Sequence, residues 1–111
     1  MSEKSEHSAL TEGVYLILIS LQVPRHGYAV MQNIEGLTAG RVILGAGTLY
    51  GAINSLLDKG WISAIGHDST SRKKEYVITP MGKTVLHNEI KRLEALVKIG
   101  QEERLGVGNE N

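Results

Sequence analysis

The sequence predicts a mainly α chain with one small β-hairpin, in the order helix, helix, helix, hairpin, helix. Three observations carry that prediction. Apolar residues recur at helical spacing in four separate stretches, each able to line one face of a helix. Two extended segments, Trp61-Ile62 and Tyr76-Val77-Ile78, flank the turn-rich "GHDSTS", the pattern of an antiparallel hairpin with a polar tip. Finally, 111 residues with 41% hydrophobic and 22% charged content suit one domain with a modest core. Aromatics make up only 5% and Phe is absent, so that core must be built from Leu, Ile, Val and Ala.

Residues 1–9 read as a flexible arm. Thr11, Glu12 and Gly13 open the first helix, in which Val14, Tyr15, Leu16, Ile17, Leu18, Ile19 and Leu21 cover several faces, so burial nearly all round is expected. Pro24 ends it, because proline cannot donate to a continuing helix and biases Val23 towards an extended backbone. A second helix is expected from roughly His26 to Leu37, with Tyr28, Val30, Met31, Ile34 and Leu37 apolar and Gln32, Asn33 and Glu35 polar; Gly40 breaks the chain after it.

The third helix is expected to begin near Thr48. Leu49, Ile53, Leu56 and Leu57 form one apolar stripe, while Thr48, Gly51, Asn54, Ser55 and Asp58 fall on the opposite face with Tyr50 at the border. Gly60 suits the left-handed residue that ends such a helix. After the hairpin, Pro80 is a natural first helical residue for a fourth helix running to about Glu102. Its Leu86, Ile90, Leu93 and Val97 make a two-heptad seam, broadened by Leu96, that asks for a partner. Residues 103–111 read as a flexible tail. Three helices followed by a two-stranded wing is the winged form of helix-turn-helix, which offers its third helix to the major groove. The expected organisation is a winged domain over residues 10–79 and a C-terminal dimerisation helix over 80–102.

Several function classes drop out. With no cysteine, neither a disulfide framework nor a thiolate metal site is available, and His7, His26, His67 and His87 lack metal-ligand spacing. His26 is expected to cap or pack at the start of the second helix. No nucleophile triad or paired carboxylates share a face, so neither an enzyme nor a bound cofactor is expected. The longest apolar run, "GVYLILISLQV", is too short for a membrane span, and "MSEKSEHSA" is unlike a signal peptide, so a cytoplasmic protein is expected. Net charge is zero, so any nucleic-acid contact must come from local basic patches.

The stretch "GAGTLYG", residues 45–51, demands its own account. A dinucleotide fingerprint needs G-x-G-x-x-G after a strand in a parallel βαβ unit; here the third glycine stands one residue late and two helices precede it. The phosphate-loop pattern fails for want of Gly-Lys-Ser/Thr. Two readings remain: a tight turn and nothing more, or small residues that let the helix N-terminal N–H groups approach a DNA phosphate.

"LTEGVYLILISLQVPRHGYAVMQNIE", "GTLYGAINSLLDKGWI" and "SRKKEYVITPMGK" together resemble the PadR family of transcriptional regulators over about Leu10 to Val97. The signatures are His26-Gly27-Tyr28, Gly47-Thr48-Leu49-Tyr50, and Arg72-Lys73-Lys74-x-Tyr76-x-x-Thr79-x-x-Gly82. Ala46 and Gly51 stand where relatives often carry proline. The resemblance implies a homodimeric winged-helix repressor of double-stranded DNA whose C-terminal helix forms the dimer. On that reading Tyr50 places its hydroxyl on a phosphate with its ring against the second helix. Thr48, Asn54 and Ser55 face the groove, where Asn suits an adenine edge. Arg72, Lys73 and Lys74, the densest positive cluster, make a basic wing, and Arg25 and Arg41 add phosphate contacts. Leu86, Ile90, Leu93 and Val97 supply the dimer seam. A small-molecule effector is a possible further partner, but residues 80–102 contain no aromatic to stack on a planar ligand. The alternative is a winged helix used only to bind other proteins, which the zero net charge permits.

Overall fold

The computed structural model describes residues 9–66 and 74–109. Among the described residues four helices surround a three-stranded antiparallel sheet: α1 (Glu12–Ser20), β1 (Arg25–His26), α2 (Gly27–Leu37), α3 (Ala46–Lys59), β2 (Ile62–Ile65), β3 (Glu75–Ile78) and α4 (Pro80–Asn109). The predicted winged arrangement is present.

Each start and stop has a local cause. Thr11 caps α1 by accepting the Val14 N–H at 3.1 Å. Beyond Pro24 the backbone is extended, and Arg25 and His26 pair with Tyr76 and Glu75 as a short edge strand. The sequence placed His26 at the start of α2; it is instead the last residue of β1 and the N-cap of α2, and its side chain makes no capping hydrogen bond. Tertiary pairing with β3 captured backbone that local pattern had assigned to the helix. The sheet order is β1-β3-β2, with Ile62 opposite Ile78 and Ala64 opposite Tyr76.

The third helix starts at Ala46, earlier than the expected Thr48, because Gly45 is extended (φ −76°, ψ 163°) and acts as the N-cap. It ends where expected, at Gly60 in the left-handed conformation (φ 77°). Helix α4 continues past Glu102 to Asn109, through residues that the sequence reading had given to a tail.

The core lies where α1, α2, α3 and the sheet meet. It comprises Ile17, Leu18, Leu21, Val30, Ile34, Leu49, Ile53, Leu56, Ile62, Tyr76, Ile78 and Leu86, aliphatic apart from one tyrosine. Each buried Leu or Ile contributes about 1.5–3 kcal/mol against leaving it in water. Helix α1 buries Ile17, Leu18 and Ser20, while Val14, Tyr15, Leu16 and Ile19 are half-covered. Two residues expected to fill α2 stand outside the core: Tyr28 and Leu37 are both 57% exposed, because the buried face is the one holding Gly27, Val30 and Ile34.

Candidate nucleic-acid interface

Helix α3 is anchored by its buried stripe of Leu49, Ile53 and Leu56, and this fixes what the opposite face presents. Thr48, Gly51, Asn54, Ser55 and Asp58 are all exposed. They do not form one flat strip. Asn54 stands on the flank shared with Tyr50, whereas Ser55 borders a shallow cavity of about 360 Å³ that Thr11, Val14, Lys59 and Trp61 also line. The Lys59 ammonium lies over the Trp61 ring, 4.8 Å from its centre.

Tyr50 leans towards α2 and remains 41% exposed. A Cβ on Gly27 would overlap the Tyr50 hydroxyl, so the glycine of His26-Gly27-Tyr28 is the seat on which that ring rests. Burial, and after it the neighbouring Tyr50, holds the Tyr76 phenol above its ordinary value. The Tyr50 hydroxyl therefore sits where the start of α2, the body of α3 and strand β3 converge.

The glycines of "GAGTLYG" play no left-handed role: among the described residues positive φ occurs only at Ala39, Gly40 and Gly60. Nothing lies within 4 Å of where a Cβ would stand at Gly45, Gly47 or Gly51. Internal packing thus requires none of the three. They leave the backbone at the start of α3 bare. Neither α2 nor α3 has a side chain capping its first amides, so both helices present N–H groups and the positive end of the helix dipole.

The basic residues divide. Lys74 is exposed at the foot of the wing, immediately before β3. Arg72 and Lys73 lie outside the described residues. Arg25, considered for phosphate contact, donates from Nε to the Ser20 carbonyl at 2.8 Å, and Arg41 is ion-paired with Glu12. Among the described residues no group of His, Asp and Glu is placed to hold a metal ion, and no helix is long and apolar enough to cross a membrane.

A family model described as the transcriptional regulator PadR-like family matches residues 16–88, well over half of the chain. The chain belongs to the PadR-like family of transcriptional regulators. This PadR-like chain therefore falls in a family of regulators, not of enzymes. Its fold is shared with the transcriptional regulator Cth-833 of Clostridium thermocellum, at TM-score 0.69 and 23% identity over 82% of this chain and 90% of that one. A PadR family transcriptional regulator from Eggerthella lenta DSM 2243 is similar at TM-score 0.63 and 26% identity, covering 83% of this chain and 80% of that chain. Bacillus subtilis PadR, solved in complex with operator DNA, matches at TM-score 0.61 and 24% identity over 69% of this chain and 45% of that chain. No curated protein matches the sequence.

The C-terminal seam is split by the PadR-like fold. Leu86, expected to face a partner, is only 3% exposed and closed inside its own core, because the first turns of α4 pack on the sheet and α1. Ile90 and Leu93 are half-buried, and Val97 is 56% exposed. Tyr15, Ile90, Leu93, Glu94 and Val97 line a cleft of about 310 Å³ between α1 and α4. Leu96 and Ile99 are exposed beyond it.

Three residues escaped the sequence reading. By periodicity Tyr28 reads as an apolar residue of α2, although its place in the His26-Gly27-Tyr28 motif is a signal. Tyr15 contributes to the cleft, but helix one is apolar on so many faces that no sequence signal singled it out. Glu89, 5% exposed, accepts the Leu10 N–H at 3.3 Å and the Arg92 Nε–H at 2.8 Å. The Arg92 bond, followed by the Leu10 amide, holds its carboxyl below the ordinary glutamate value against the opposing effect of burial.

Proposed function

We propose that this PadR-like chain is a cytoplasmic, sequence-specific DNA-binding repressor that acts as a homodimer, with α3 in the major groove and the wing over the backbone. The observation that carries the reading is the bare start of α3. Three glycines that neither packing nor φ requires leave the backbone open beside two uncapped helix N-termini and the Tyr50 hydroxyl. An array of N–H donors with no side chain over it suits a phosphate oxygen.

From that anchor Thr48 and Asn54 reach base edges, Ser55 borders the groove from the far flank, and Tyr50 holds a phosphate. Tyr28, exposed beside the start of α2, joins the same backbone contact. Arg72, Lys73 and Lys74 complete it from the wing, which is how a chain of zero net charge gathers local positive charge. Arg25 and Arg41 stand behind these in the contact set, because Arg25 Nε and the Arg41 guanidinium already have partners within the chain.

Dimerisation uses Ile90, Leu93 and Val97 with Leu96, Ile99 and Tyr15. An exposed apolar run of this kind on a long helix is expected to find a partner. Leu86 supports the helix from inside. The proposed domains follow: a winged domain ending at Thr79, then a dimerisation helix extending to Asn109.

The test is the salt dependence of binding to a selected operator. Each symmetric pair of lost phosphate contacts flattens the slope of log affinity against log salt by about 1.8 in a dimer. The triple variant Arg72→Ala, Lys73→Ala, Lys74→Ala is expected to bind cognate and random duplexes more weakly, with a flatter slope. Asn54→Ala is expected to lose about 1–3 kcal/mol on the cognate site alone with no change of slope. Wild-type affinity and slope in the triple variant would favour the protein-interaction reading.

A further inference from the structure

The geometry at the base of the wing points to Thr79 as the positioning residue that sets the angle between recognition helix and dimerisation helix, and with it the half-site spacing the protein accepts. This inference rests on the DNA-binding dimer proposed above. Four hydrogen bonds meet at this one residue, one of them the first bond of α4, from the Lys83 N–H to the Thr79 carbonyl at 2.8 Å. The Thr79 hydroxyl donates to the Gly60 carbonyl at 2.6 Å, at the C-cap of α3, and accepts the Gly82 N–H at 3.0 Å, in the first turn of α4. Its own N–H donates to the Trp61 carbonyl at 3.0 Å.

A single hydroxyl therefore bridges the end of one helix and the beginning of the other. The wing leaves from Trp61 and returns to Thr79, so the bridge closes its base, one step beyond the Ile62–Ile78 pair, and ties the two helices together there. Gly82 completes the joint: a Cβ there would overlap the Trp61 carbonyl oxygen and crowd Ile78 Cγ1 at 2.8 Å, so α4 starts directly against the backbone that leaves α3. Farther along, Glu89 fastens α4 to Leu10 ahead of α1, but not to α3.

The lever arm makes the angle matter. Helix α3 has 14 residues and is therefore about 20 Å long. A 10° change at its Gly60 end swings its far end by roughly 3–4 Å, about the rise of one base pair. A symmetric dimer must set two such helices about 34–36 Å apart to reach successive major grooves, so a loose joint blurs the spacing by whole base pairs.

The experiment measures the joint directly and then on DNA. The chain has no cysteine, so Asp58→Cys and Lys91→Cys accept a nitroxide pair reporting the α3–α4 distance in dimers diluted with unlabelled chain. With Thr79 intact, and with Thr79→Ser, which keeps the hydroxyl, a narrow distance distribution is expected. With Thr79→Val, or Thr79→Ala should the valine variant not fold, the distribution is expected to broaden or shift by about 3 Å. On duplexes, Thr79→Val is expected to keep single half-site affinity within about twofold. Two-half-site affinity is expected to fall about tenfold, the scale of losing a pair of hydrogen bonds, with a flattened dependence on spacing. Unchanged distances and an unchanged spacing optimum in Thr79→Val would overturn the inference. A wild type that binds no duplex would overturn the proposed function instead, while the nitroxide distances would still decide for or against the joint.

Discussion

Gly51→Ala separates stability from binding because its two effects have opposite signs. Gly51 is helical, within α3, and no atom lies within 4 Å of where a Cβ would stand, so alanine meets nothing inside the protein. Glycine in a helix interior costs about 0.8–1 kcal/mol relative to alanine. The substitution should therefore stabilise the chain by nearly that amount and raise Tm by about 4–6 °C for a protein of this size. If a DNA phosphate or base edge packs against the bare backbone, the new methyl group overfills that contact. Overpacking costs about 1–3 kcal/mol, or roughly five- to 150-fold in operator affinity. Gly36→Ala is the control: it too is helical with open space around it, but near the far end of α2, so a smaller rise in Tm is expected with no change in binding. Circular dichroism at fixed chain concentration gives the first quantity and fluorescence anisotropy on a selected operator the second. A stabilised Gly51→Ala that binds operator at wild-type affinity would refute the reasoning, since the open backbone would then face only water.

Tyr50→Phe removes the hydroxyl and spares the ring over Gly27, so operator affinity should fall by about 0.5–1.5 kcal/mol, up to ~3 for a charged phosphate acceptor, with Tm nearly unchanged. Val97→Asp places a carboxylate on a residue exposed in the single chain, so sedimentation should show a folded monomer, against the dimer expected of the wild type. For Glu89 the folded-state pKa lies below the unfolded one, so its contribution is complete above the ordinary glutamate range and fades as pH falls through the depressed value. Glu89→Gln should accordingly lower Tm at pH 7 and reduce the loss of Tm between pH 6 and the acid limb of the unfolding curve, measured by calorimetry.

The element order, β1 apart, was legible because each signal acts over a few residues. The stripe Leu49, Ile53 and Leu56, the stop at Gly60 and the hairpin around "GHDSTS" arise from periodicity and turn chemistry, which neighbours along the chain specify. So was the exposed polar face of α3, because burial of one stripe dictates what stands opposite. The family signature was legible too, in Gly47-Thr48-Leu49-Tyr50 and Thr79-x-x-Gly82. Tertiary structure decided what depends on residues distant in sequence. His26 became strand because β3 offered its backbone a partner, and Leu86 was drawn inside because the start of α4 packs on the sheet, leaving Val97 outside. Arg41 met Glu12, Glu89 met Leu10, and Gly27 received the Tyr50 ring, pairings that no spacing along the chain encodes. Thr79 stands out in the sequence only as one position of the family signature. Only folding carries its hydroxyl to the Gly60 carbonyl, because a hairpin must close before residues separated by the whole wing can share a hydrogen bond.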